Sequence, residues 1–282
     1  MGLRINTNVA SLNAQRNLGS TRINMNKSLE KLSSGQRINR AGDDAAGLAI
    51  SENLKAQIKG LGQAERNAED GVSLVQIAEG ALGEVSNILI RLRELSVQAA
   101  SDTIGVTERK FLNVEFEQLT SEVDRIANST EFNRVPLLNG TGAVFDIQIG
   151  TRNDPISDRL TFDASSADVN VAALGLNLAS VSDKISAQNS LTSIDQAIIS
   201  VSGIRADFGA LQNRLQSTVN NIQVSIENLS SANSRVRDTD VAAETAELTK
   251  QNILMQAGTS VLSQANSSTN SALSLIQAAS QR

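Results

Sequence analysis

All six phenylalanines and both prolines of this 282-residue chain lie between residues 111 and 208. Proline interrupts helix interiors because it lacks a backbone N–H and its ring clashes with the preceding turn. Residues 1–110 and 209–282 are therefore free to form long helices. Aromatic residues make up only 2% of the chain, whereas a large round core is usually filled by aromatic side chains. The sequence favours a thin core of Leu, Ile, Val and Ala along helix–helix seams.

Two heptad patterns predict the longest helices. Apolar residues alternate four and three positions apart within residues 70–100, and a second series with a mean spacing of 3.5 residues lies within residues 191–236. Such spacing is typical of helices that pack through one apolar stripe. The predicted bundle-seam residues are Leu74, Val85, Ile88, Leu92, Leu95, Phe208, Leu211, Leu215, Ile222 and Ile226.

Weaker patterns predict the remaining elements of the middle region. Ile77 and Leu89 lie off the first seam, which predicts a second buried face and therefore a bundle. Two shorter helices are expected over residues 44–61 and 111–129. A β-hairpin is expected within residues 144–163, because apolar and polar residues alternate on both sides of a turn-rich segment.

The two ends of the chain carry diluted helical patterns. Apolar residues recur at helical spacing in residues 3–34 and 241–276, but Asn, Ser and Gln interrupt them. Alone, such stripes bury too little area to offset the entropy of ordering. We expect both ends to be loose in the free subunit and helical when packed with each other and with neighbouring subunits.

The charge is uneven along the chain. Residues 1–42 carry seven Lys/Arg against the single acid Glu30, although the whole chain has a net charge of −5. A basic segment on an acidic body favours a partner, which includes another copy of the same chain. Nucleic acid is not an expected partner, because the segment lacks both a clustered basic run and stacking aromatics.

Composition argues against catalysis, cofactors and metals. The chain has no His and no Cys, which removes the commonest acid–base catalyst, thiol nucleophiles and the usual zinc ligands. No phosphate-binding loop motif is present. The carboxylates of Asp43-Asp44 and Asp238-Thr-Asp240 are interpreted as helix caps rather than a metal site. No secretory signal and no membrane-spanning segment are expected.

Several separated segments resemble bacterial flagellins, in the family's order. They are INTNV at residues 5–9, SLEKLSSGQRIN at 28–39, AGDDAAGLA at 41–49, RLRELSVQ at 91–98 and QAGTSVLSQA at 256–265. The resemblance covers nearly the full chain. It implies a structural subunit that polymerises into the helical flagellar filament used for swimming.

The resemblance also implies an architecture. The fold class is mainly α, a long-helix coiled-coil bundle with a small β-hairpin, and the termini form a coaxial helical pair. The N-terminal arm would be residues 1–42, the rod-like helical domain 43–238 and the C-terminal arm 239–282. The middle segment is too short for the large outer domains of bigger members. The expected filament-core packing residues are Ile5, Val9, Leu12, Leu18, Leu29, Leu32, Leu248, Leu254, Val261 and Ala265.

Partners follow from the same resemblance. They are the chain itself, the flagellar export apparatus, a chaperone that grips the C-terminal arm, and the filament cap and hook-junction proteins. The expected location is the extracellular filament, without membrane insertion. Two alternatives remain open at this point: a hook–filament junction protein, which shares similar arms, and a cytoplasmic coiled-coil scaffold.

In some flagellins the stretch matching residues 90–98 contacts an innate immune receptor of animals. Arg91 and Leu95 match that pattern, whereas Ile90 departs from it. The alternative interpretation makes Leu92 and Leu95 core residues and places Arg91 on a solvated or inter-subunit face.

Overall fold

The computed structural model describes the backbone of residues 7–280 and the side chains of residues 7–268. Within this part the fold is mainly helical, with two small antiparallel sheets. The elements are α1 (Val9–Ser34), α2 (Ala45–Ala99), α3 (Val106–Ser129), β1 (Glu131–Phe132), β2 (Val135–Pro136), β3 (Val144–Gln148), β4 (Arg159–Asp163), α4 (Lys184–Arg237) and α5 (Val241–Ser280).

The described chain divides into two compact units. One unit combines the described residues up to Ala56 with those from Leu229 onward, and the other is Gln57–Asn228. The first contains α1, α5 and the segments that lead into and out of them. The second contains the helical bundle and both sheets. The arm boundaries after residue 42 and before residue 239 stay a prediction.

Helix α2 is one uninterrupted helix of 55 residues, so the prediction of separate helices over residues 44–61 and 70–100 is wrong. Glycine is a poor helix former, but at two positions of α2 it permits close approach of another segment. A Cβ at Gly60 would lie 2.8 Å from Thr151 Cγ2, and one at Gly71 would lie 2.7 Å from Ile147 Cδ1. The β3–β4 hairpin therefore packs directly on the α2 backbone.

The bundle core lies along the predicted seams of the Gln57–Asn228 unit. Most of the seam residues are buried, and Ile88 and Ile226 are half-buried. The second face predicted on α2 is confirmed at Leu89, which is buried, and is wrong at Ile77, which is 45% exposed. The largest fully buried side chains of this unit are Phe116, Phe208, Leu82, Leu89, Leu92, Leu95, Leu137, Leu138, Leu176, Ile194 and Leu215.

Helices α2 and α4 run antiparallel within this unit, as polar contacts along their edge show. Gln223 donates to Glu65 at 2.8 Å, and Arg93 pairs with Asp195 at 2.7 Å. Residue numbers fall on α4 as they rise on α2, which only an antiparallel pair allows. These exposed contacts fix register more than they stabilise, because exposed ion pairs contribute little.

The hairpin predicted within residues 144–163 is confirmed as β3–β4, in which Phe145 faces Phe162 and Ile147 faces Leu160. A second hairpin, β1–β2, was not predicted. Its two-residue turn places both Asn133 and Arg134 at positive φ, 49° and 66°. Such turns usually carry Gly, so an Asn-Arg pair gives little sequence signal.

Candidate functional site

The candidate site is the pair of terminal helices, which run antiparallel within their own unit. Asn8 caps α1 by accepting from the Ser11 N–H, and its amide donates to the Ala265 carbonyl at 2.8 Å. At the other end of α1, Lys31 pairs with Glu244 at 3.6 Å. The low residue numbers of α1 therefore meet the high numbers of α5.

Small and polar residues fill the contact between these helices. The buried residues of α1 are Ser11, Ala14 and Ser28, and Gln251 is buried on α5. Near the middle, Gly258 lets α5 approach closely, because an added Cβ would lie only 3.1 Å from Leu18 Cγ. The two helices thus meet through few large apolar side chains, and burial of apolar area is the main favourable term in packing.

The larger apolar side chains of the arms lie mostly outside this contact. Among the residues expected to pack in a filament core, Val9, Leu12, Leu29, Leu254 and Val261 are 45–58% exposed. Leu18, Leu32, Leu248 and Ala265 are half-buried. Ile5 lies outside the described residues. The exposed members present apolar area that a second surface can cover.

Sequence reasoning missed two further exposed apolar residues on the arms, Ile23 and Ile253, which are 59% and 60% exposed. Val241, the first residue of the apolar pattern predicted over residues 241–276, is 58% exposed. Ile253 directly precedes Leu254, and adjacent helical residues point about 100° apart. Adjacent apolar pairs are therefore the signal that could have shown a wider apolar face than a single stripe.

A backbone junction ties the two arms together where each leaves its helix. Gly35 ends α1 with a φ of 69°, and its carbonyl accepts from the Thr239 N–H at 3.0 Å. The Arg37 N–H donates to the Arg237 carbonyl at 2.6 Å. The Arg237 guanidinium in turn pairs with Glu52 at 2.5 Å. The segments before α2 and after α4 are thus held side by side.

The predicted helix-capping role of the acidic pairs is confirmed at Asp44 and Asp240. Asp44 precedes α2 and accepts from the Gly47 N–H at 2.8 Å. Asp240 precedes α5 and accepts from the N–H groups of Ala242 and Ala243. Asp43 has a different role, because it accepts from the Asn39 and Arg40 N–H groups and fixes the connecting loop.

Asp43 gives a testable pH dependence. The backbone N–H of Arg40 and then that of Asn39 lower the pKa of this carboxyl below its ordinary value of 3.8. Because the folded pKa is depressed, its stabilisation of the loop is present above the unfolded pKa and is lost as pH falls through the folded one. We expect an NMR titration to give a midpoint below 3.8 for Asp43. The amides of Asn39 and Arg40 should shift with it, and Asp43→Asn should abolish that shift; a midpoint at or above the ordinary value contradicts the assignment.

The residues matched to an immune-receptor contact lie in different environments. Arg91 is exposed and pairs with Glu115 at 2.8 Å and Glu94 at 3.0 Å, which raise the pKa of its guanidinium. Leu95 is only 1% exposed and belongs to the bundle core, as does Leu92. Arg91 is therefore accessible to a partner, whereas contact with Leu95 requires the bundle to open.

Neither a metal-binding cluster nor a helix able to span a membrane occurs among the described residues. They contain no cluster of three or more carboxylates or other ligating side chains that could hold a metal ion. Among the described helices, none combines the length and apolar character needed to cross a membrane.

Comparisons with known proteins identify the family. The model of the bacterial flagellin N-terminal helical region matches residues 5–143, and that of the C-terminal helical region matches residues 191–276. A flagellin of Halalkalibacterium halodurans is 45% identical over 97% of this chain and 99% of its own length. A flagellin of Bacillus subtilis is 44% identical over 98% of this chain and 100% of its own length.

A solved structure agrees with these matches. The crystal structure of Bacillus cereus flagellin aligns with a TM-score of 0.50 at 34% identity, over 60% of this chain and 94% of that chain. Fold and sequence together define a helical structural protein with paired terminal arms. The chain belongs to the bacterial flagellins, and it is a small member without large outer domains. Its function is that of a subunit that polymerises into the helical flagellar filament.

Proposed function

We propose that the two arms form the core of the filament and that their exposed apolar residues pack against the arms of neighbouring subunits. The observation that carries this proposal is the inverted packing of α1 and α5: Ser11, Ala14 and Ser28 are buried between them while Leu12 and Val261 are more than half exposed. A helix pair built this way is incomplete as a monomer. Neighbouring copies complete its apolar packing.

Burial of these side chains supplies the driving force for assembly. Covering one Val, Leu or Ile side chain contributes about 1.5–3 kcal/mol. Several such residues on each arm offset the loss of translational and rotational freedom on association. Contacts between different surfaces of successive copies do not close into a ring, and they generate an open helical polymer.

Assembly of the purified monomer tests the proposal. Seeded or salted-out monomer should form long helical filaments, seen by electron microscopy. Val261→Ser should raise the monomer concentration needed for growth about tenfold, which corresponds to about 1.4 kcal/mol per contact. Val224→Ser is the matched control, since Val224 is 57% exposed but lies on α4 outside the arms. Formation of only dimers or short rods supports a coiled-coil scaffold instead. Equal effects of Val261→Ser and Val224→Ser on the critical concentration contradict a specific role of the arms.

The location and the other partners belong to the same proposal. The subunit acts in the extracellular filament, is exported through the flagellar export apparatus and is held before export by a chaperone on its C-terminal arm. It meets the filament cap and hook-junction proteins at the filament ends, and it performs no catalysis. Membership in the flagellins supports these assignments, and the absence of His and Cys supports the last one. The chain should be recovered in filaments sheared from producing cells.

A further inference from the structure

Phe111 differs from the other phenylalanines of the chain because its side chain is 72% exposed. Phe116 and Phe208 are buried, and the other three are half-buried. An aromatic side chain carries a large apolar area, and aromatic residues, Phe among them, are enriched in protein interfaces. The bundle leaves this ring in solvent, so the ring can be buried only against the surface of a partner.

The helical neighbours of Phe111 give this surface its character. Val114, one turn later, is 58% exposed, and Glu108 and Glu115 flank Phe111 three positions before it and four positions after it. The Glu115 carboxylate also forms an ion pair with Arg91 at 2.8 Å. We name Phe111 and Val114 the α3 knob: it is apolar, and the charged residues one turn away on the same face, Glu108, Lys110, Glu115 and Glu117, carry an excess of negative charge.

A groove of complementary character lies between the β3–β4 hairpin and α4. Its volume is ≈ 370 Å³, whereas a cavity of about 150 Å³ is enough to hold a benzene ring. Ile149, Ile156 and Leu160 provide its apolar surface, and Ile156 is 93% exposed. Arg159 and Arg214 supply positive charge, and the residues that line the groove include no carboxylate.

The knob and the groove of one subunit cannot meet each other. The Arg91–Glu115 pair places the knob beside the part of α2 where Arg93 contacts Asp195 of α4. The groove lies at residues 213–218 of α4. About twenty residues of helix therefore separate them, which is about 30 Å. A contact between the two surfaces has to join different copies.

We propose that the α3 knob of one subunit inserts into the hairpin–α4 groove of a neighbouring subunit in the filament. The inference rests on the proposed self-assembly and names a second contact, outside the arms. Two different surfaces of the same chain meet, so the contact is head-to-tail and repeats without closing. The excess negative charge beside the knob faces the arginines of the groove, which sets orientation and disfavours knob–knob pairing.

Cysteine cross-linking tests the pairing directly, because the native chain contains no Cys. Filaments of the double variant Thr107→Cys, Ser217→Cys are treated with a short bis-maleimide. Thr107 lies one turn before Phe111 and Ser217 lines the groove, so both cysteines are next to the contact and its apolar side chains are kept. We expect a ladder of covalent oligomers, since each subunit then joins one neighbour through its knob and another through its groove. Filaments of either single variant should give no covalent dimers, whereas an equal mixture of the two single variants should give dimers but no ladder.

Each result decides the matter. Well-formed filaments without cross-links in the double variant, or covalent dimers in either single variant, overturn the knob-in-groove contact and leave the proposed filament function intact. Failure of the native chain to form filaments overturns the proposed function instead. As an independent measurement, Phe111→Ala should raise the critical concentration about tenfold, the effect of losing one buried ring. Leu178→Ala is the control, because Leu178 is 95% exposed and lies outside both surfaces; no difference between these two variants also overturns the contact.

Discussion

Replacing Phe208 with alanine is expected to lower the free energy of unfolding of the monomer by about 4 kcal/mol. Phe208 is 1% exposed, and its ring centroid lies 4.9 Å from that of Phe162. Because Phe162 is part of the β3–β4 hairpin, truncation both leaves a cavity on α4 and removes the ring that anchors the hairpin. The surrounding side chains relax only partially into such a cavity.

Urea denaturation followed by circular dichroism measures this effect. Phe111→Ala is the matched control, since it removes the same atoms from a side chain that is 72% exposed. It should change the free energy of unfolding by no more than about 0.5 kcal/mol, as is usual for surface substitutions. In filament assembly we expect the reverse order: Phe111→Ala should raise the critical concentration, because it removes a contact between subunits. Equal losses of stability in both variants contradict the burial-based argument.

The second large effect is expected in hydrogen exchange of the arms. Amides in α1 and in residues 241–268 of α5 should exchange at least about a thousandfold faster in dilute monomer than in filaments, because local opening free energies range from near zero up to the global value. The physical reason is the small apolar area between the arms. The side chains of Ala14 and Ser28 bury little apolar area, whereas ordering the backbone of each residue costs about 1–2 kcal/mol in conformational entropy.

The bundle provides the internal control for that measurement. Amides of the α2 segment around Leu89 and Leu92 should be protected in both states, because these side chains are fully buried in the monomer. Strong protection of the arm amides in dilute monomer refutes the expectation that the arms become ordered by assembly. In that case the arms are preformed, and polymerisation joins rigid surfaces.

Heptad spacing was enough to predict the bundle but not its continuity. Leu92, Leu95 and Phe208 are buried, because a regular apolar stripe on one helix packs against the apolar stripe of a facing helix. The continuity of α2 through Gly60 and Gly71 depends on the hairpin that packs there, and a contact with residues about 80 to 90 positions away leaves no local pattern.

The arms show a different limit of sequence reasoning. The spacing of their apolar residues predicted helices, but the two faces of each helix differ little in apolar character. Period alone could not show that Ser11 and Ala14 face the partner helix while Leu12 faces outward. Small residues allow the closer approach of two backbones, so the inner face is selected by shape rather than by hydrophobicity. The exposed Ile23 and Ile253 were missed for the same reason.

The backbone junction between the arms has a mechanical consequence. A rotating filament carries load, and tension on either arm has to leave it through residues 35–37 or residues 237–239. Since the Gly35 carbonyl is bonded to Thr239 and the Arg37 N–H to Arg237, those two passages are loaded in parallel. Pulling on α1 or on α5 would therefore shear the hydrogen bonds that join the two segments, and the junction would share the tension between these two helices.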